Sequence, residues 1–199
     1  MKKKKSKKWK KYTKEKEPPR CNMQQVQRYR SSRDSFLDSV VLPFVKSRND
    51  IIYGSRAMNI QLPPQYRRKS DDYDIWGLNP ARSCDHLEDR LDRKIGCDMF
   101  VEEKKFMPKI QKTVYRIRAK HTDKQEVDYT KKPKEKVKTV KIKGVTYQHI
   151  DHQYQRLKEM SKDPNLAFRL EKTTKDLRTI EKAKGKPSSG LIPHNNMIW

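Results

Sequence analysis

The chain has 199 residues, of which 37% are charged and 33% hydrophobic, and its formal net charge is +24. That length and apolar share allow one modest core, not two. No apolar run approaches the ~18 residues of a membrane span, and the Lys-rich start lacks the apolar segment of a secretory signal. The surplus positive charge favours a polyanionic partner. Nucleic acid comes first, because Lys and Arg release counterions from phosphates, and an acidic membrane surface or acidic protein is the weaker alternative.

Residues 1–20 hold ten Lys and one Arg against two Glu and include Pro18-Pro19. With no periodicity they read as a disordered tail: a solubilising or non-specific nucleic-acid-binding arm, or a nuclear address. Residues 22–47 read as a helix, with Ser31 or Ser32 as cap and Phe36, Leu37, Val40, Val41, Phe44 and Val45 as its apolar face. Pro43 is expected to kink that helix or end it early. Asn49-Asp50 turns the chain into a short buried strand, Ile51-Ile-Tyr53, which runs into Gly54-Ser55. One or two helical turns follow and stop at Pro63-Pro64, and a basic loop leads to a second strand over Tyr73–Gly77.

Asn79-Pro80 opens a helix with apolar positions at Cys84, Leu87, Leu91 and Ile95, and Gly96 closes it. Met99–Val101 and Thr113–Ala119 are strand candidates, the latter alternating Tyr115, Ile117 and Ala119 with Arg116 and Arg118. The turn His121–Lys124 pairs this strand with Gln125–Thr130. After the Lys-rich connector Lys131–Lys138, one more short strand is expected around Val140, Ile142 and Val145. Residues 150–183 read as two helices broken at Asp163-Pro164. The expected organisation is a tail over 1–20, a core over 21–147, C-terminal helices over 148–184 and a second tail over 185–199. Cys21, Cys84 and Cys97 are odd in number, widely spaced and without a Cys-x-x-Cys. They read as reduced thiols of an intracellular protein, cytoplasmic or in a nuclear or viral setting.

The chemistry concentrates in two phrases. Asp72 and Asp74 stand two apart, so on a strand they project to one face, with Tyr73 and Ile75 on the other. Two convergent carboxylates beside a Gly-Ser turn suit metal-assisted phosphoryl transfer. The acids hold a divalent cation, and the turn lets backbone N–H groups approach phosphates. The plain alternative is a solvated acid pair at a turn, with Asp71 adjacent. His149-x-x-His152 with Asp151 has helical metal-ligand spacing, but a lone pair of this kind is more often a surface feature. Arg169, Lys172, Lys175 and Arg178 recur every three residues, either holding phosphate or forming a solvated face. Arg67, Arg68 and Lys69 are equally open between these readings. Trp76 and Trp199 offer stacking surfaces, with core packing the expectation for Trp76. No His pairs with a thiol in a recognisable way, so cysteine catalysis is not expected.

The order of Tyr53-Gly-Ser-Arg-Ala57, Ser70-Asp-Asp-Tyr-Asp-Ile-Trp76, Val114-Tyr-Arg-Ile117 and Glu126-Val-Asp128 resembles the DNA polymerase β superfamily of nucleotidyltransferases. Within it, the basic character resembles the poly(A) polymerase-type members, including those of large DNA viruses. The resemblance implies an α+β fold: a small mixed sheet flanked by helices, with a helical C-terminal part. It implies that Gly54 and Ser55 form the phosphate-binding turn, with Arg56, Lys175 and Arg178 assisting at the nucleotide. It assigns Asp72, Asp74 and Asp128 as catalytic, metal-holding carboxylates, with Asp128 activating the acceptor. Mg²⁺ is the implied cofactor and Mn²⁺ the second candidate. The implied partners are a nucleoside triphosphate, ATP first, and a nucleic-acid 3′ end, RNA before DNA, with a partner subunit compatible and no membrane. Transfer to a protein or small-molecule hydroxyl, or a binding module without turnover, are the alternatives. Sixteen residues separate Ser55 from Asp72, longer than the usual gap of the superfamily, and the surplus falls in Pro63–Lys69.

Overall fold

The computed structural model describes residues 19–185, apart from 109, 110 and 123. Most of the Lys-rich tail expected over 1–20, the C-terminal tail and Trp199 therefore lie outside the described residues. The fold is α+β. Helix α1 (Met23–Arg48) leads into β1 (Ile51–Tyr53), α2 (Gly54–Gln61), β2 (Tyr73–Gly77) and α3 (Pro80–Ile95). Strands β3 (Phe100–Met107), β4 (Lys112–Ala119), β5 (Gln125–Lys131), β6 (Thr139–Ile142) and β7 (Val145–Gln148) follow, and helices α4 (Ile150–Met160) and α5 (Leu170–Lys184) close the described chain. The strands form one seven-stranded mixed sheet in the order β3-β4-β5-β2-β1-β7-β6.

The pleat divides the sheet into two chemistries. Tyr73, Ile75, Val127 and Tyr129 point into the main core with Leu37, Val41 and Phe44 of α1 and Leu87 and Leu91 of α3. The alternate positions, Asp74 and Asp128, face the other way, and the parallel pairing of β2 with β5 sets Asp74 opposite Asp128. A second cluster joins Met58 and Leu62, from α2 and the residue after it, to Ile150 and Leu157 of α4 and Ile180 and Ala183 of α5. The C-terminal helices therefore pack on α2, which leaves a cleft between them and the acid-bearing face.

Several elements differ from expectation for physical reasons. Asn22, not Ser31 or Ser32, caps α1, in a reciprocal capping box with Gln25. The irregularity in α1 falls at Ser32, whose φ is −121°, while the helix continues through Pro43 to Arg48. Val41, Phe44 and Val45, on either side of the proline, are buried, and that packing holds the helix together across the missing N–H. The single strand expected near Val140–Val145 is a hairpin, because Lys143 and Gly144 have φ of 50° and 80° and form a two-residue turn. Strand β3 runs to Met107, well past Val101. Its Glu-Glu-Lys-Lys stretch lies at the exposed sheet edge, where no alternation is demanded.

Cys21 and Cys97 are joined in a disulfide across 76 residues of chain, which overturns the reading of three reduced thiols. Backbone pairing brings them together: Arg20 bridges Asp98, and the Asp98 N–H donates to the Pro19 carbonyl at 2.8 Å. Cys84 alone is free, and it is buried.

A charged tether crosses from α1 to the sheet. Arg33 pairs with the fully buried Glu126 of β5 and also donates to the Asp71 carbonyl, just ahead of β2. Burial first, then the nearby Glu126 charge, push the Tyr29 hydroxyl far above its ordinary range. Removing one partner leaves the other as an uncompensated buried charge. Glu126→Ala is therefore expected to lower unfolding free energy by about 3–5 kcal/mol, read from the urea midpoint at constant slope.

Candidate active site

Tyr53 pairs with Asp74 across the antiparallel β1–β2 ladder, and the next residue, Gly54, begins α2. Gly54 has φ of +69°, and a Cβ there would lie 2.4 Å from Oδ2 of Asp74. Both observations require glycine. The N-cap of α2, Tyr53, makes no side-chain capping hydrogen bond, so the first-turn N–H groups beside Gly54 and Ser55 lack that partner. The Ser55 hydroxyl accepts from Arg68 at 2.6 Å, and Arg68 also bonds Asp176 of α5 at 3.0 Å.

Asp72, Asp74 and Asp128 all line the cleft, together with Gly54, Ser55, Arg116, Arg169 and Lys172, and its volume is about 710 Å³. Asp72 accepts from the Gln125 amide at 2.8 Å. Asp128 is held by Arg116 of β4 in a two-pronged pair at 2.9 and 3.2 Å. Burial raises the Asp128 carboxyl, and Arg116 offsets part of that. Asp74 has no hydrogen bond or ion pair among the described residues. Burial, then the charges of Asp72 and Asp128, push its carboxyl up to about 7, against the weaker pull of Lys172 and Arg169.

Asp72 and Asp74 offer hard oxygen donors with no ion-pair partner among the described residues, and that donor chemistry fits Mg²⁺. The three acids do not draw together as tightly as a loaded site requires. Among the described residues, the group of three acids with oxygens within 4.8 Å of one another is Glu88, Asp92 and Asp98, on α3 and before β3. Asp128 is instead drawn to Arg116.

Other expected site residues fall elsewhere. Arg56 turns away from the cleft: its guanidinium lies 3.8 Å from the Tyr73 ring centroid, donates to the Asp72 carbonyl at 3.0 Å and pairs with Asp38 at 3.2 Å. Lys175 and Arg178 are exposed on α5 and do not line the cleft, whereas Arg169 and Lys172 do. A repeat of three lags the helical turn by about 60° per step, so the later members rotate out. His149 accepts from the Asp151 N–H and caps α4, which is a structural role. Trp76 is buried and stacked on Tyr53 at 4.2 Å, with Arg156 5.0 Å from its ring centroid. The sequence reading gave no role to Arg116, Lys112, Gln125 or Arg156, all of which line the cleft. The signal for Arg116 was present in its alternation with Tyr115 and Ile117 on the strand hairpinned to Asp128.

No protein-family model matches the chain, and no curated protein matches it in sequence. Among solved structures it is similar to the Megavirus polyadenylate synthase, with a TM-score of 0.62 at 19% identity, covering 77% of this chain and 32% of that one. The likeness is one of fold, and the chain spans about a third of that enzyme's length. JHP933 from Helicobacter pylori matches at a TM-score of 0.45 and 13% identity, covering 81% of this chain and 67% of that one, too distant to argue from. No helix among the described residues is long and apolar enough to cross a membrane.

The raised Asp74 carboxyl carries a pH dependence. Its folded value of about 7 lies above the ordinary 3.8, so ionisation penalises the folded state. The penalty is absent below about pH 4, grows through the window up to about pH 7 and is complete above it. In EDTA, the melting temperature should rise as pH falls from about 8 to about 5, and more steeply than in Asp74→Asn. Equal slopes would remove the electrostatic reading of this carboxyl.

Proposed function

We propose that the chain is a Mg²⁺-dependent nucleotidyltransferase. It moves a nucleoside monophosphate from a nucleoside triphosphate, ATP first, to the 3′ hydroxyl of a nucleic acid, RNA before DNA. The observation that carries the reading is the unpartnered Asp74 carboxylate, flanked by Asp72 and Asp128 and pressed against Gly54 at the start of a helix. The fold shared with part of a viral polyadenylate synthase supports the same class.

In this reading Asp72 and Asp74 hold the cation, with Asp128 completing the set. When bound, Mg²⁺ (or Mn²⁺) supplies positive charge at the reacting phosphate and at the attacking and leaving oxygens. The chain's own groups do the rest. The α2 N–H groups and Ser55 receive the triphosphate, and Arg169 and Lys172 offset its charge from the opposite wall. Asp128 exchanges Arg116 for the acceptor hydroxyl and takes its proton. The 3′ oxygen then bonds to the α-phosphorus, the bond to the bridging oxygen breaks, and pyrophosphate leaves with the electron pair.

The test is incubation with Mg²⁺, each labelled nucleoside triphosphate and a short RNA primer. Wild type should extend the primer, and Asp74→Asn should lower the rate by roughly 10²–10³ or more, as loss of a charge-stabilising group does. Label on the protein without primer extension would move the assignment to a protein acceptor. Salt-sensitive RNA binding with no incorporation from any triphosphate would reduce the chain to a binding module.

A further inference from the structure

The connector between β5 and β6 and the hairpin beyond it hold an unusual concentration of charge. Residues 131–143 carry seven lysines against the single Glu135. All seven lysines are exposed, and none makes an ion pair among the described residues. On the helices of the core, by contrast, basic residues are interleaved with acids. On α3, Arg82, Arg90, Arg93 and Lys94 alternate with Asp85, Glu88, Asp89 and Asp92. Arg33 of α1 and Arg56 of α2 engage Asp34 and Asp38 of α1.

The strip leads to the cleft. The Lys132 N–H donates to the Gly77 carbonyl at 3.0 Å, at the end of the strand that carries Asp74. Lys138 is pinned to α4, its carbonyl accepting from the His149 N–H at 2.8 Å. Glu135 lies close enough to act electrostatically on Lys112 and His152, and Lys112 and Arg156 are on the cleft wall. The register sets Thr139 opposite Gln148, which also lines the cleft, and Lys141 two residues on shares that face. The positive surface thus runs from the mouth, at Lys112 and Arg156, along the connector to the sheet edge at Lys141 and Lys143.

We propose that this strip is the track on which the backbone of a single-stranded polynucleotide enters the cleft. The inference deepens the nucleotidyltransferase reading by placing its acceptor. Unpaired lysines on an open strip match evenly spaced phosphates through charge and counterion release, without selecting bases. Exposed, flexible ammonium groups suit a strand that must advance as it grows.

The test uses the full chain without nucleotide and a fluorescein-labelled oligouridylate titrated by anisotropy at several salt concentrations. Each lost phosphate contact on a single strand lowers the log–log salt slope by about 0.7. Combined Lys134→Gln, Lys136→Gln and Lys138→Gln should therefore flatten the slope by about 2 and weaken binding roughly 10- to 100-fold near ~0.1 M salt. A matched triple on α3, Arg82→Gln, Arg93→Gln and Lys94→Gln, should move both far less. Equal losses in the two triples would overturn the track, and so would unchanged binding in the lysine triple. Tighter binding of phosphatidylserine vesicles than of the oligonucleotide through these lysines would also overturn it. If the lysine triple behaves as expected while wild type incorporates nothing, the catalytic reading fails and the track stands. Incorporation by wild type with an inert lysine triple fails the track alone.

Discussion

The site depends on one close approach, that of Gly54 to Asp74. The antiparallel pairing of β1 with β2 sets Tyr53 against Asp74, and the chain then leaves the sheet with positive φ so that α2 starts directly beside a carboxylate. A side chain at that position would collide with Asp74 at 2.4 Å. The same geometry puts uncapped helical N–H groups, which attract anions, next to acids, which attract cations. Neither half is unusual alone. Together they set anion-attracting N–H groups beside cation-attracting carboxylates, and the proposed function rests on that pairing.

The second constraint is the repulsion among the acids. In a chain of net charge +24, Asp74 still sits where the charges acting on it most strongly are those of Asp72 and Asp128. The sheet produces this arrangement, since parallel pairing of β2 with β5 fixes Asp74 opposite Asp128 whatever the side chains prefer. Asp72 takes a hydrogen bond from Gln125, and among the described residues an ion pair relieves the repulsion at Asp128, through Arg116 on the strand beyond β5. That bond comes from the sheet too, because Arg116 and Asp128 are register partners. Asp128 therefore has a resting partner, and Asp74 has none among the described residues.

Much of the frame was legible because its signals are local. Asn79-Pro80 and Gly96 bracket α3 as cap and stop, and alternation placed β2 and β4 almost to the residue. That Asp72, Asp74 and Asp128 line one cleft was legible because two of them stand two apart on one strand and the third lies on a strand that follows a hairpin. What was not legible depends on distant pairing or on rotation. The Cys21–Cys97 bond needs the backbone around Pro19 and Arg20 laid beside Asp98, 76 residues separating the two sulfurs. Arg56 adjoins the Gly-Ser turn in sequence, yet the open side of α2 sends it to Tyr73 and Asp38. Lys175 and Arg178 match a motif spacing, but a repeat of three is not a helix face.

The long connection between α2 and β2 has a structural use that its length alone conceals. Asn59 of α2 bonds Arg68 twice, through its amide to the carbonyl and through its oxygen to the N–H. Arg67 donates to the Leu62 carbonyl at 2.8 Å. The loop is thus folded back onto the helix it follows, and this fixes the Arg68 guanidinium between Ser55 and Asp176. Asp176 is buried on α5, beside the second apolar cluster that joins α5 to α2. Arg68 therefore links the Gly54-Ser55 turn to the far wall of the cleft. Gln61 ties α2 to the start of α4, and Tyr154–Glu181 and Lys184–Asp151 tie α4 to α5; Arg68 adds a polar bond that runs directly from the Ser55 turn to α5. The loop residues thus let one arginine join the two walls directly, beside the bonds that run through α4.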